Sequence, residues 1–463
     1  MMRLPGGPVD GMLYIVKIPN EIARIQRVMA ESTVAVEPEA ALATRRRKAA
    51  RAAFVGTAME WYDYYLFGTA ASLVFSSLYF SSLTPVSATL ASLATFGVGF
   101  AARPLGALAF GWMGDRLGRK PALTVTIVVI GVATGLIGLL PDFAAIGIAA
   151  PILLVLLRLT QGVAVGGEWS GAVTLAYEHA DPAKKNWYAS LPQLGSPVGA
   201  LISSAAFSLA LQLPAGDFQS WGWRIPFLAA FPMLAIAAYI RNQVDESPAF
   251  EATRRAEGQR TPFPGAEVFR REPGTLCIAV MGALLGVGGY YLMTTFVINY
   301  GTRVLGLPSS LMVNAAVAAS ALEFLVILFV GSIADRYSPA RLTLIGAAIV
   351  AGLAIPIFSL IASKDPTLVV VAMMAGIGAV ASVYAVAGAW LTGLFPTRYR
   401  YSGVALAYNL AGVLAGFLPF TATALLEASG EQPWAPAFLL IGVSFVTIAG
   451  AALSLKRKTS THE

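Results

Sequence analysis

Twelve predominantly apolar stretches, each about 17–30 residues long, follow one another along this chain, separated by short polar connections and one long one in the middle. A helix rises 1.5 Å per residue, so each stretch is long enough to cross a hydrocarbon core of about 30 Å. The stretches lie at about 52–78, 86–112, 121–140, 147–176, 187–212, 225–241, 274–300, 309–332, 341–363, 367–393, 402–426 and 435–455. Composition points the same way: 57% of residues are hydrophobic and 12% charged, with a mean hydropathy of +0.69, whereas a soluble domain carries about 25% charge. The expected fold is an all-α polytopic membrane protein with twelve transmembrane helices.

Lysine and arginine set the expected orientation, because they collect in alternate, cytoplasmic loops. The loops that alternate from residue 45 onward hold 23 basic residues, against three (Arg224, Arg303 and Lys364) in the intervening ones. Both termini are therefore expected in the cytoplasm. The net charge of +7 needs no nucleic-acid partner, since these side chains face anionic lipid. The expected division is a cytoplasmic tail at 1–44, a six-helix bundle at 45–241, a cytoplasmic linker at 242–273, a second bundle at 274–455 and a tail at 456–463. Residues 1–44 are either a loosely ordered tail or partly untranslated sequence before a start at Met29. The C-terminal tail is too short for a coiled coil.

An internal repeat supports two similar halves. GWMGDRLGRKPA at Gly111 to Ala122 has a partner in GSIADRYSPAR at Gly331 to Arg341, so that Gly111, Asp115 and Arg116 recur 220 residues later as Gly331, Asp335 and Arg336. The second copy lacks counterparts of Gly118 and Arg119. Two such halves around a midplane site are a transporter design. The G-x-x-x-D-R-x-G-R-K stretch resembles the signature of the major facilitator superfamily. EWYDYYLFG at Glu60 to Gly68, ARPLG at Ala102 to Gly106, RLTQGVAVGGEWSGA at Arg158 to Ala172, WRIPF at Trp223 to Phe227 and DESPAF at Asp245 to Phe250 resemble its metabolite:proton symporter family. The resemblance covers residues from about 45 to 455. It implies that Asp115 latches one side of the molecule while the other is open, with Asp335 as its counterpart, and that helices 1, 4, 7 and 10 line a central cavity. Asp115 closes a helix C-terminus, where an anion is unfavourable unless compensated. Arg116, Arg119, Lys120 and the free amides of a helix start near Tyr401 are candidate compensators, and a helix start near Asn186 is the candidate for Asp335.

Charges inside the apolar stretches are the candidate functional residues, because an acid at mid-bilayer costs roughly 2.5–3.5 kcal/mol even on mild insertion scales. Counting from Arg51, Glu60 and Asp63 fall roughly 14 Å and 18 Å from the inner surface. Arg158 falls at nearly the same depth, which makes it the nearest counter-charge. Burial favours a neutral acid and a neighbouring cation favours the carboxylate, so an acid beside a movable arginine can switch charge. Asp63, Glu60 and Glu323 are the candidate proton carriers, with Glu60 and Asp63 on one helix face as a possible relay. A permanent ion pair fixing helix 1 to helix 4 is the alternative. Arg158 suits either of two roles, counter-charge to Asp63 or cation for an anionic substrate. Tyr62, Gln161, Tyr290, Tyr291 and Asn299 are further candidates for substrate contact, followed by Tyr65, Tyr384 and Trp390. Arg103 and Glu168 are expected to be structural. The glycines of Gly162 to Gly167 and of GVLAG, Gly412 to Gly416, are expected to permit close helix approach.

No phosphate-binding loop, H-E-x-x-H, G-x-S-x-G or Cys/His cluster is present, and Cys277 is the single cysteine, so an ATP-driven pump, a hydrolase and a metal site are not expected. The expected function is proton-driven symport of a small polar metabolite, an organic acid anion such as shikimate or a di- or tricarboxylate, by a monomer in the inner membrane without a cofactor. The alternatives are import of zwitterions such as proline and betaine, and export by proton antiport.

Overall fold

The computed structural model describes residues 38–257 and 263–460, so residues 1–37, with the Met29 question, and 461–463 lie outside what is described. All packing discussed below falls within residues 46–463, one of two compact units, the other being 1–45. The chain is helical: α1 Glu39–Leu73, α2 Pro85–Arg116, α3 Arg119–Leu139, α4 Ala149–His179, α5 Gly195–Ala210, α6 Ala230–Asn242, α7 Pro273–Tyr291, α8 Ser309–Ile333, α9 Pro339–Ala362, α10 Pro366–Leu394, α11 Arg400–Gly416 and α12 Trp434–Ser460. Two short helices, Pro248–Glu257 and Pro264–Arg271, lie in the segment between α6 and α7.

Helix ends follow local chemistry. Thr84 accepts from the Ser87 amide with Pro85 at the first helical position of α2, and Asp365 accepts from the amides of Thr367 and Leu368 ahead of Pro366 in α10; both satisfy otherwise orphaned donors. Gly118, between α2 and α3, has φ +123°, a left-handed value that favours glycine. A Cβ there would also lie 2.1 Å from the Glu246 carboxylate.

Among the described residues, ten helical stretches are long and apolar enough to cross a membrane. They exclude α1 and α5. In α1 the acids Glu60 and Asp63 and a basic first half dilute the apolar character. Before α5 the chain is broken into Lys185–Ser190 and a tight turn at Leu191–Leu194 containing Pro192, and α5 itself has 16 residues. A proline has no amide to donate and interrupts a continuous helix.

Within the first half α4 packs on α2 and α3, and α3 on α6; within the second, α10 packs on α8 and α9, and α12 on α7 and α9. The halves meet where α11 packs on α2 and α4, and where Lys185–Ser190 packs on α8 and α10. The α2–α4 contact is backbone on backbone: a Cβ on Gly106 would lie 1.8 Å from the Val163 carbonyl, and one on Gly166 2.2 Å from that of Arg103. Gly162 and Gly166 thus make the expected close approach. Gly412 and Gly416 do not, since a Cβ on either would meet nothing within 4 Å. They border open space between α2, α7 and α11.

Candidate functional site

The signature motif sits where the halves are joined. Asp115, at the end of α2, accepts from the amides of Tyr401 (3.1 Å) and Ser402 (2.8 Å) in the first turn of α11. Asp335, just beyond α8, accepts from the amides of Asn186 (2.8 Å) and Trp187 (3.2 Å). The acids differ by 220 positions and their partner amides by 215, so the repeat is also a repeat of contacts. A carboxylate at a helix N-terminus meets free donors and the positive end of the helix dipole. Burial raises the Asp335 carboxyl from its ordinary value, while the two amides and Lys184 draw it back.

Arg119 is fully buried and pairs with Asp115 (3.3 Å) and Glu178 (3.1 Å), and it donates to the Thr397 carbonyl across the interface (2.9 Å). Glu178 also pairs with Arg400 of the other half at 2.8 Å. Arg116 lies over the Trp112 ring (5.6 Å) and Arg336 over Tyr337 (5.9 Å). Lys120 donates to the Asn242 carbonyl. Of the three cations expected near Asp115, Arg119 is the one that forms an ion pair with it. Gly111 allows this approach, because a Cβ there would lie 2.9 Å from the Ser402 Cα. DESPAF completes the layer: Glu246 accepts from the first amides of α3, Ser247 donates to Glu178 (2.5 Å), and Phe250 lies under Arg119 (4.8 Å).

Deeper within the first half, Asp63 occupies a buried cluster. Its Oδ1 accepts from Thr134 (2.6 Å) and from the Gln161 amide (2.5 Å), and its Oδ2 from Arg158 (3.3 Å). Arg158 also donates to Gln161 Oε1 (3.3 Å), and its guanidinium lies over the rings of Phe67 (4.2 Å) and Phe96 (5.2 Å). Gly99 leaves room for it, since a Cβ there would lie 2.6 Å from Arg158 Nε. Arg158 is thus the counter-charge to Asp63, and α4 turns Arg158 and Gln161 toward α1 and α3, beside the rings of Phe67 and Phe96. Pairing at close range avoids leaving either charge alone in low dielectric. Thr134, which completes the cluster, was not among the sequence candidates.

The remaining candidates divide between the interface and the helix cores. The hydroxyls of Tyr65 and Tyr290 hydrogen-bond to each other across the halves. Trp61, Ser196, Tyr290, Tyr291, Glu323, Tyr384 and Tyr408 enclose a central space of about 10 Å³, room for little more than one water. Glu60 and Glu323 are buried, and one carboxylate oxygen of each has no hydrogen-bond partner. A larger cavity of about 410 Å³ lies beside it, with Tyr64, Phe96, Phe100, Tyr291, Thr295 and Phe417 in its wall. Tyr62 donates instead to the Pro226 carbonyl (2.5 Å), Asn299 is exposed, and Trp390 donates to Ser454 between α10 and α12 (3.2 Å). Glu168 forms a buried ion pair with Arg241 and accepts from Thr126. On the inner side of this level Trp169 stacks on Tyr408 at 3.7 Å and Asn409 donates to the Gly166 carbonyl. The geometry therefore closes the signature face and leaves space toward the opposite one.

The comparisons with known proteins agree with this architecture. The family model described as Major Facilitator Superfamily matches residues 53–361 and 309–463. The chain is 40% identical over 388 residues to the shikimate transporter of Escherichia coli (strain K12), covering 83% of this chain and 88% of that one. It is 35% identical to the inner membrane metabolite transport protein YhjE of the same organism (90% and 94% covered) and 33% identical to its proline/betaine transporter (86% and 81%). Among solved structures, the proton:xylose symporter XylE bound to 6-bromo-6-deoxy-D-glucose superposes with a TM-score of 0.70 at 16% identity, covering 89% of this chain and 96% of that one. The E. coli fucose:proton symporter FucP gives 0.60 at 12% identity, with 87% and 97% covered. With its apolar helices, its repeated inter-half contacts and these relatives, the chain is a membrane transporter, not an enzyme, and belongs to the Major Facilitator Superfamily.

Proposed function

We propose that this protein is a proton-coupled importer of a small carboxylate-bearing metabolite, working by alternating access between its halves, 45–241 and 274–455. In this reading all twelve helices α1–α12 cross the inner membrane, both termini are cytoplasmic, and a monomer works without a cofactor, driven by the proton gradient. The charge bias of 23 basic residues against three supports that orientation, in which the closed signature face is cytoplasmic.

The observation that carries the coupling is the Asp63 cluster. A carboxylate held by one arginine, one amide and one hydroxyl changes its charge balance when any of them moves. Of the two roles open to Arg158, its 3.3 Å pairing with Asp63 supports the counter-charge. Asp63 is the principal proton carrier, Glu60 its relay one turn away, and Glu323 a carboxylate on the other half whose environment changes when the halves part. Tyr290 and Tyr291 are the substrate contacts the cavities support best. An organic acid such as the cargo named for the shikimate transporter is the leading substrate class. The proline/betaine relatives favour a zwitterion as the second reading.

The test is proton movement in lightly buffered, de-energised cells pulsed with shikimate, succinate, citrate, proline or betaine. External alkalinisation by one compound, lost in Asp63→Asn while labelled counterflow persists, is the expected result. Uptake of a compound with no proton movement in the wild type overturns the coupling.

A further inference from the structure

Three deeply buried arginines are satisfied by acids: Arg158 by Asp63, Arg241 by Glu168 and Arg119 by Glu178. Arg103, half-buried in α2, is held differently. Among the described residues no carboxylate pairs with its guanidinium, which lies over the Phe100 ring at 4.6 Å. An unpaired cation within a membrane helix is costly and in transporters marks a pathway.

Its position explains what it faces. Residues four, three and four apart share one helix face, so Phe96, Phe100, Arg103 and Ala107 form one stripe down α2. Phe96 and Phe100 are in the wall of the 410 Å³ cavity, and Arg103 lies one turn deeper on the same stripe. The charges and hydroxyls whose fields act on it are Tyr291, Glu60, Tyr408 and Tyr64, drawn from both halves. It is half-buried, one turn below the part of the wall that Phe100 forms.

We propose that Arg103, not Arg158, receives the carboxylate of the transported metabolite, and that the metabolite is a monocarboxylate with a compact body held by the aromatic wall. This rests on the reading of the protein as a carboxylate importer and narrows it. A guanidinium matches a carboxylate in bidentate fashion. Arg103 is a single cation one helical turn below this cavity, whose described lining is uncharged, which disfavours di- and tricarboxylates, whose further charges would be desolvated without partners. The cavity's volume lies within the range of small-molecule sites. Tyr64, Tyr291 and Thr295 supply hydroxyls for a polar ring substituent, while Phe96, Phe100 and Phe417 supply the apolar surface.

The experiment follows thermal unfolding of the purified full-length protein during titration with shikimate, glycine betaine, succinate and citrate. A monocarboxylate should stabilise the wild type and Asp63→Asn. Arg103→Lys should respond more weakly, and Arg103→Gln should need roughly 10- to 100-fold more ligand, the loss expected for charge-assisted hydrogen bonds. Arg103→Lys keeps the charge and controls for folding. An unchanged response of Arg103→Gln, stabilisation by citrate in preference to either monocarboxylate, or no stabilisation of the wild type by any of the four overturns the proposal. Arg103-dependent binding without proton-coupled uptake would instead remove the symport reading and leave this site standing.

Discussion

At the residue scale, the ions of this protein divide into those that hold helices and those that work between them. Glu168 and Arg241 belong to the first group: Arg241 also donates to the Leu123 carbonyl, and Thr126 supplies the acid with a further bond. Removing one member of such a pair leaves an uncompensated buried charge and costs about 3–5 kcal/mol, whereas removing both is far less damaging. Arg241→Met should therefore lower the unfolding midpoint in detergent sharply, and Arg241→Met with Glu168→Gln should recover most of the loss. Equal melting of the single and double variants would show that the pair carries little of the stability. Sequence alone made Asp63 and Arg158 conspicuous, because charges interrupting apolar stretches are visible without a fold. Thr134, Glu178, Glu246 and Arg241 were not legible as partners, since an ordinary threonine in an apolar helix or an acid near a helix end acquires its meaning only from what packs against it.

At the element scale, ten of the expected spans and the repeat were legible because a bilayer demands long apolar helices and because the signature recurs at a fixed spacing. The two helix starts that receive Asp115 and Asp335 could also be named in advance, from the free amides every helix start presents. The rotation of α4 was not legible, as it depends on glycines in α2 that let Arg158 turn away from the interface. In the proposed cycle the two carboxylate-to-helix contacts hold one face closed with charge-assisted hydrogen bonds, of about 1.5–3 kcal/mol each at most. Asp115→Asn weakens one of them, and a loss of about 1.4 kcal/mol shifts the balance between closed and open states tenfold. The measurement is thiol labelling of Asn409→Cys, buried at the interface beside Gly166, in a Cys277→Ser background. Labelling should be slow with Asp115 intact and roughly tenfold faster in Asp115→Asn. Equal rates would mean that the carboxylate sets helix ends without latching the halves.

At the scale of the whole molecule, the bonds across the signature face and the cavity beside α2, α7 and α11 are, in the proposed alternating-access cycle, one of two positions, in which opening one face must consume space at the other. Gly97 and Gly412 both border that cavity, and a Cβ on either has nothing within 4 Å. A large side chain at both positions should therefore fit the state described here and clash once α2 and α11 approach. Gly97→Trp combined with Gly412→Trp should also abolish ligand-induced thermal stabilisation, because both side chains would fill the cavity assigned to the body of the metabolite. The same variant should lose net uptake and counterflow together, since both require the cavity to close, and thiol labelling at position 409 should remain slow. Retained uptake would place the moving surfaces elsewhere, between helices other than α2 and α11. Loss of uptake with ligand binding retained would instead place the body of the metabolite outside this cavity and leave the wall to closure alone, beside α1 and α7, whose tyrosines already meet across the halves.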